Sequence, residues 1–183
     1  MTYDADSGLH LRQPDPDLDL KTRRLRELGL GLSPVAEFDA LAARLAEAAD
    51  VPYAMVNITL DQQNFVGLCS PSGRGEDPAV DRTMALDHGY CPDVMSRGRA
   101  LVLPDVCAYP RFASNDVVDR IGIRTYAGAP LLDVRTGLVL GTVCFVGREA
   151  RPRSFGKHAL ALVKASQDDA METVYRRAPS SAR

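Results

Sequence analysis

The sequence predicts an α+β domain: terminal helices on one face of an antiparallel sheet, short helices and loops on the other. Three observations carry this. Apolar stripes of helical period lie near each end of the chain. Between them, two pairs of short apolar segments at 53–69 and 124–146 are each joined by a polar turn, the pattern of antiparallel hairpins. A polar, glycine- and proline-rich middle separates the pairs and carries only short helical patterns.

Residues 1–16, with Asp4, Asp6, Asp15 and two prolines, are polar and aperiodic and are expected to be a disordered arm. Leu18, Leu25 and Leu28 then recur at helical spacing, with Asp17 or Asp19 available as a cap and Gly29 and Gly31 as stops. Ser33-Pro34 restarts a helix, because serine suits the cap and proline the first position, whose N–H has no intrahelical partner anyway. Phe38, Leu41, Ala42, Leu45, Ala48 and Ala49 give that helix one apolar face, and Pro52 follows its end.

Tyr53 to Leu60 reads as a strand, Asp61-Gln62 as a turn and Asn64 to Cys69 as the returning strand. Residues 70–81 form a polar loop that lacks the lysine and the strand-to-helix setting of a phosphate cradle. A short helix fits 88–97 and a short strand 101–103, and residues 104–119 form a loop with helical turns. Arg124–Leu132 and Leu138–Val146 are two further strands around a turn at 133–137. Ser154 caps a last helix with Leu160, Val163, Gln167, Met171 and Val174 on one stripe, and disorder is expected after Arg177. One domain over 17–177, with its core at 33–175, accounts for these elements.

Composition excludes several function classes. At 183 residues and 45% hydrophobic content, the chain can bury one ordinary core. With 22 basic and 24 acidic residues, the net charge of −2 offers no field for nucleic acid or an anionic membrane. The N-terminal residues lack the basic and apolar regions of a secretory signal, and no apolar run reaches the ~18–20 residues of a membrane span. Cys69, Cys91, Cys107 and Cys144 show no C-x-x-C pair and no zinc spacing, so a cytoplasmic protein with reduced thiols is expected.

Several segments together resemble the GAF domain family, a PAS-related group of small sensory modules, over roughly 33–175. Asp61-Gln-Gln-Asn-Phe65 resembles the family's turn before an aromatic residue, and His88-Gly-Tyr-Cys91 the opening of its short helix. Val102-Leu-Pro-Asp105 with Pro110-Arg-Phe112 resembles its strand, corner and turn. Arg124 to Pro130 and Leu140 to Cys144 resemble its two sheet strands behind the pocket. The resemblance implies a central antiparallel sheet of five or six strands with a pocket under the middle loops.

It also implies a non-enzymatic sensor that binds an unidentified small molecule and signals to a separate kinase, GTPase or other regulator, as a homodimer joined through its terminal helices. No cofactor is identified: the sequence has no cyclic-nucleotide signature and neither the neighbouring segments nor the lyase-type site of a bilin photoreceptor. Three alternatives stand beside the sensor. One branch of the family reduces free methionine sulfoxide through cysteines, although its pattern does not map onto Cys69, Cys91 and Cys107. A thiol switch at Cys91 or Cys107 is a second, and a dimerisation scaffold with a collapsed pocket a third.

The candidate ligand contacts are Phe65, Tyr90, Cys91, Asp105, Arg111, Tyr126 and Thr142. Cys91 precedes Pro92 at a helix start, where a thiolate is favoured; it can equally fill core space as a small apolar group. Cys144, between Val143 and Phe145, reads as core. Asp105 and Arg111 can fix the loop as an ion pair, with Asp105 also accepting backbone N–H groups in an Asx-type turn; alternatively Arg111 faces a ligand carboxylate or phosphate. Tyr90 and Tyr126 offer aromatic walls with a polar tip. His88 is the one histidine near the expected pocket, and it lacks a set of metal-ligand partners.

Overall fold

The computed structural model describes residues 15–72 and 77–179, together with the backbone of 2–4 and 9–11. Those last two segments, β1 (Thr2–Asp4) and β2 (Leu9–Leu11), pair antiparallel with Thr2 opposite Leu11, where a disordered arm is expected. Threonine and tyrosine favour extended backbone. The rest of the expected arm up to residue 14 lies outside the described residues, as do 73–76 and 180–183.

Helix α1 (Leu18–Glu27) follows Asp17 and is closed by Gly29 at φ +64°. Helix α2 (Ala36–Ala49) starts later than the Ser33-Pro34 signal predicts. The cause lies in the sheet. Between β3 (Tyr53–Thr59) and β4 (Gln63–Cys69), Val56 faces Gly67 but Asn57 faces Phe65, so Val66 is an extra, bulged residue. The Val66 carbonyl accepts the Val35 N–H at 2.8 Å, which holds Val35 extended and delays the helix until the residue after it.

The sheet also contains β5 (Thr83–Met84), β6 (Leu101–Leu103), β7 (Thr125–Leu132) and β8 (Val139–Gly147). Its order is β5-β4-β3-β8-β7-β6, and every neighbouring pair is antiparallel. Strand β5, just beyond the polar loop, is short and pairs only Thr83 and Met84 with β4. Helices α3 (Cys91–Arg97), α4 (Pro110–Ala113) and α5 (Asp116–Ile121) occupy the middle of the chain, with a 3-10 turn at Val106–Ala108. Helix α6 (Phe155–Arg177) closes the domain.

Side chains alternate across the sheet, and each face buries its own core. Ala54, Val56, Ile58, Ala127, Ala129, Val143 and Phe145 face α1, α2 and α6. Tyr53, Met55, Phe65, Tyr126 and Cys144 face the other way, under α3, α5 and their loops. On α6 the buried residues are Ala159, Val163, Ala170, Met171, Thr173 and Val174, while Leu160 and Gln167 of the expected stripe are half-buried. Ala178 is also buried, donating its N–H to Val174, so the ordered chain runs past the expected end at Arg177.

An ion pair ties α1 to the sheet. Asp133, fully buried in the β7–β8 turn, accepts Arg24 Nε at 2.6 Å, Tyr175 Oη at 2.7 Å and Thr136 Oγ1 at 2.8 Å. Among the described residues no helix is long and apolar enough to cross a membrane, and no group of three or more His, Cys, Asp or Glu could hold a metal ion.

Candidate functional site

A cavity of about 40 Å³ lies between the face of the sheet away from the terminal helices and the segments that cover it. Its floor is Tyr53, Met55, Phe65, Tyr126, Cys144 and Val146 from β3, β4, β7 and β8. Its cover is Val80, Met84, Gly89, Tyr90 and Cys91 on one side and Val117, Ile121 and Ile123 on the other. The lining is almost entirely apolar. That volume holds about three water-sized groups, so a larger ligand must displace the cover.

Side chains at the start of β4 and in the middle loops fasten the cover. Gln63, buried on β4, donates Nε2 to the carbonyls of Ala85 and His88 at 2.7 and 2.8 Å and accepts Asn57 Nδ2 at 3.1 Å. On the other side, Asn115 both accepts the Gly89 N–H at 2.9 Å and donates to the Gly89 carbonyl at 3.0 Å. Tyr53 Oη donates to the Pro78 carbonyl, and Tyr90 Oη to that of Phe112. Tyr90 packs edge-on against Tyr126 and Phe112 at centroid distances of 5.1 and 5.7 Å.

Gly128 makes room for Tyr126. A Cβ at position 128 would lie 2.2 Å from Tyr126 Oη and 3.1 Å from Cys144 Cβ, so the phenol lies across a glycine. That hydroxyl is 3.7 Å from Cys91 Sγ, which in turn is 3.5 Å from Cys144 Sγ. Burial raises the Tyr126 hydroxyl pKa well above the usual phenol value, and it pushes Tyr90 up to about 12. The Cys144 thiol, acting against burial and helped by the Tyr126 hydroxyl, draws the Cys91 thiol below the ordinary range; Cys144 itself is pushed up.

Of the sequence-predicted contacts, Phe65, Tyr90, Cys91 and Tyr126 line this cavity. Thr142 shares the cavity face of β8 with Cys144 but stops short of the lining; its Oγ1 is buried with no hydrogen-bond partner. Asp105 and Arg111 stand apart from the cavity and from each other. Asp105 accepts the Cys107 N–H at 3.1 Å, as an Asx-type turn requires, but its cationic partner is Arg124, bidentate at 3.0 and 2.9 Å. The reason is local: Val106 N–H bonds to the Arg124 carbonyl at 2.7 Å, which sets Arg124 beside the Pro104-Asp105 corner. Arg111 is exposed and pairs with Asp93 on α3, so it faces away from any enclosed ligand. His88 lies 3.6 Å from Asp116 and 3.8 Å from Asp87.

Two residues of the site, Cys144 and Gln63, are not among the sequence-predicted contacts. Cys144 is legible by strand alternation, since Thr142 and Cys144 are two residues apart and share a face. Gln63 belongs to the Asp61–Phe65 segment, but its clamp on residues 85–88 crosses from strand β4 to the middle loop and leaves no local pattern.

The GAF domain family model matches residues 33–172. Among curated proteins, none matches the chain. Among solved structures, the chain is similar to a free methionine-R-sulfoxide reductase from Neisseria meningitidis in complex with its substrate, at 17% identity, covering 93% of this chain and 98% of that one with a TM-score of 0.57. It is similar to residues 122 to 287 of a methyl-accepting chemotaxis protein at 15% identity, covering 86% and 96% with a TM-score of 0.59. It is also similar to the blue-light absorbing form of the PixJ GAF-domain of Thermosynechococcus elongatus, at 14% identity, 84% and 88% coverage and a TM-score of 0.57. At these identities the likeness is one of fold.

Proposed function

The chain belongs to the GAF domain family, a family of sensory and regulatory modules, and from that premise we propose that it is a non-enzymatic sensor. A small molecule enters the cavity beneath α3 and α5, and its presence is read out through the terminal helices to a separate regulator such as a kinase or GTPase. One observation carries this reading: the cavity floor and the seat of α6 are the two faces of the same strands, β7 and β8. A ligand that moves Tyr126 or Cys144 therefore acts one peptide away from residues under α6.

The cavity sets the chemistry of the ligand. Its walls are apolar and aromatic, and the arginines nearby, Arg111 and Arg124, are occupied by Asp93 and Asp105. A small, uncharged, largely apolar molecule suits it better than a phosphate or a carboxylate. The module is proposed to work in the cytoplasm as a homodimer. The apolar residues Val163, Met171 and Val174 of α6 are buried within one chain, so such a dimer would use Leu20, half-exposed on α1, and the polar outer side of α6.

Thermal-shift measurements against small, uncharged metabolites test the sensor reading, with cyclic nucleotides and haem as the charged and bulky compounds expected not to bind. A specific binder present at one hundred times its Kd adds about 2.7 kcal/mol of stability. If no compound moves the melting transition, the sensor reading fails. Thiol-dependent turnover of free methionine sulfoxide would instead favour the reductase reading, which in this fold would have to run through Cys91 and Cys144, since Cys69 and Cys107 stand outside the cavity.

A further inference from the structure

Two free thiols face each other inside the cavity. Cys91 opens α3 and Cys144 sits mid-strand on β8; their sulfurs are 3.5 Å apart, and the residues are only 5% and 2% exposed. Both border the same cavity, of about 40 Å³, along with the Tyr126 hydroxyl. Cys69 is half-buried at the end of β4 and Cys107 is exposed, and neither borders the cavity.

We propose that Cys91 and Cys144 form a peroxide-reactive dithiol site, which closes to an internal disulfide tying α3 to β8. Cys91 is the attacking group, because its neighbours favour its thiolate, whereas Cys144 keeps its proton. The Cys91 thiolate attacks one oxygen of hydrogen peroxide; the O–O bond breaks and the other oxygen leaves as hydroxide, which takes up a proton to become water. Cys91 is left as a sulfenic acid. The Cys144 sulfur then attacks the Cys91 sulfur, the S–O bond breaks, and the departing hydroxyl leaves as a second water with the Cys144 proton. Two thiols have given two electrons, and one peroxide has been reduced to two waters.

Geometry favours this pair and this oxidant. Bond formation draws the sulfurs from 3.5 Å to about 2.05 Å, a closing of about 1.5 Å between side chains already in contact. Hydrogen peroxide is little larger than water and fits the cavity, whereas glutathione disulfide does not. The site is therefore selective by size. It needs no organic ligand and stands whether or not the sensor reading does.

The test uses the full chain carrying Cys69→Ser and Cys107→Ser, two positions outside the cavity, so that only the proposed pair can titrate. After exposure to hydrogen peroxide, the expected result is joint loss of both remaining thiols, a cross-linked peptide joining Cys91 to Cys144, and recovery of both with dithiothreitol once the chain is unfolded. In Cys144→Ala the Cys91 sulfenic acid has no partner and is captured by dimedone when the peroxide-treated chain is unfolded in its presence. Glutathione disulfide should oxidise the folded chain at least about tenfold more slowly than peroxide, and match it only after unfolding, as access to the thiol governs exchange. The wild-type chain, mapped in parallel, decides the matter should a variant fold poorly. Persistence of both thiols under peroxide, a wild-type disulfide through Cys69 or Cys107, or equal reactivity with glutathione disulfide in the folded chain would each overturn the proposal.

Discussion

Replacing Asp133 with asparagine removes one charge from a fully buried turn and leaves its shape intact. In the native protein that carboxylate accepts Arg24, Tyr175 and Thr136 side chains and the Arg135 N–H. Burial raises its pKa, but these donors outweigh it and bring the group down to about 2 from an ordinary 3.8. At about 1.4 kcal/mol for each tenfold change in proton affinity, the carboxylate contributes about 2 kcal/mol, since the side chain is fully shielded from solvent. The folded pKa is depressed, so this stability is present above about pH 4 and is lost as pH falls towards about 2. The substitution would also strand the Arg24 guanidinium, itself 8% exposed and holding only Glu27 in compensation. Breaking one side of a buried pair costs about 3 kcal/mol at the low end, which for a chain of this size lowers the melting temperature by roughly 6–12 °C at pH 7. Adding Arg24→Met to Asp133→Asn should recover part of the loss, because no buried charge is then unpaired. Calorimetry of the three chains from pH 7 to pH 2 reads the neutral-pH loss, its recovery and the acid limb. A variant that melts with the wild type at neutral pH, or keeps the wild-type acid limb, refutes the account.

Two further substitutions probe the cavity. Gly128→Ala should cost about 2 kcal/mol, because the new methyl meets Tyr126 Oη at 2.2 Å, and Tyr126→Phe in the same chain should restore part of it by removing that oxygen; chemical denaturation of the single and double variants gives the coupling. Gln63→Leu strands the Ala85 and His88 carbonyls and should destabilise by about 1–3 kcal/mol, with faster amide exchange concentrated over residues 85–91 as the cover loosens.

Much of this fold can be read from local pattern, and the misses share a physical cause. Helix α2 and the two hairpins are legible because their apolar residues repeat at periods of 3.6 and 2, which one segment displays by itself. Ser33-Pro34 has the chemistry of a helix start, but the bulge at Val66 supplies a carbonyl to Val35, a donor–acceptor match between segments that no single window contains. Asp105 departs from expectation in the same way. Arg111 is nearer in sequence, yet Arg124 wins because the backbone bond from Val106 sets it alongside the carboxylate. Motif order points to Tyr90, Cys91 and Tyr126, all of which border the cavity. Cys144 reads as core because its neighbours Val143 and Phe145 are apolar too, so both faces of the strand look buried, and only its alternation with Thr142 sets it on the cavity side.

That ambiguity points to how the domain can work as a sensor. Both faces of β8 are buried, so its residues divide by one peptide step: Val143 and Phe145 under the helices, Cys144 and Val146 over the cavity. Phe145 meets Phe155, the first residue of α6, edge-on at 6.3 Å. On β7, Ala127 and Ala129 are small enough to bring α6 close, while Tyr126 reaches the other way to Cys91. A close-packed wall one strand thick cannot absorb a displacement on one face without passing it to the other. On the proposed sensor reading, whatever displaces Tyr126 or Cys144, whether a bound molecule or a new bond to α3, would act on the seat of α6 through β7 and β8, and the terminal helices would report the event without touching the cavity.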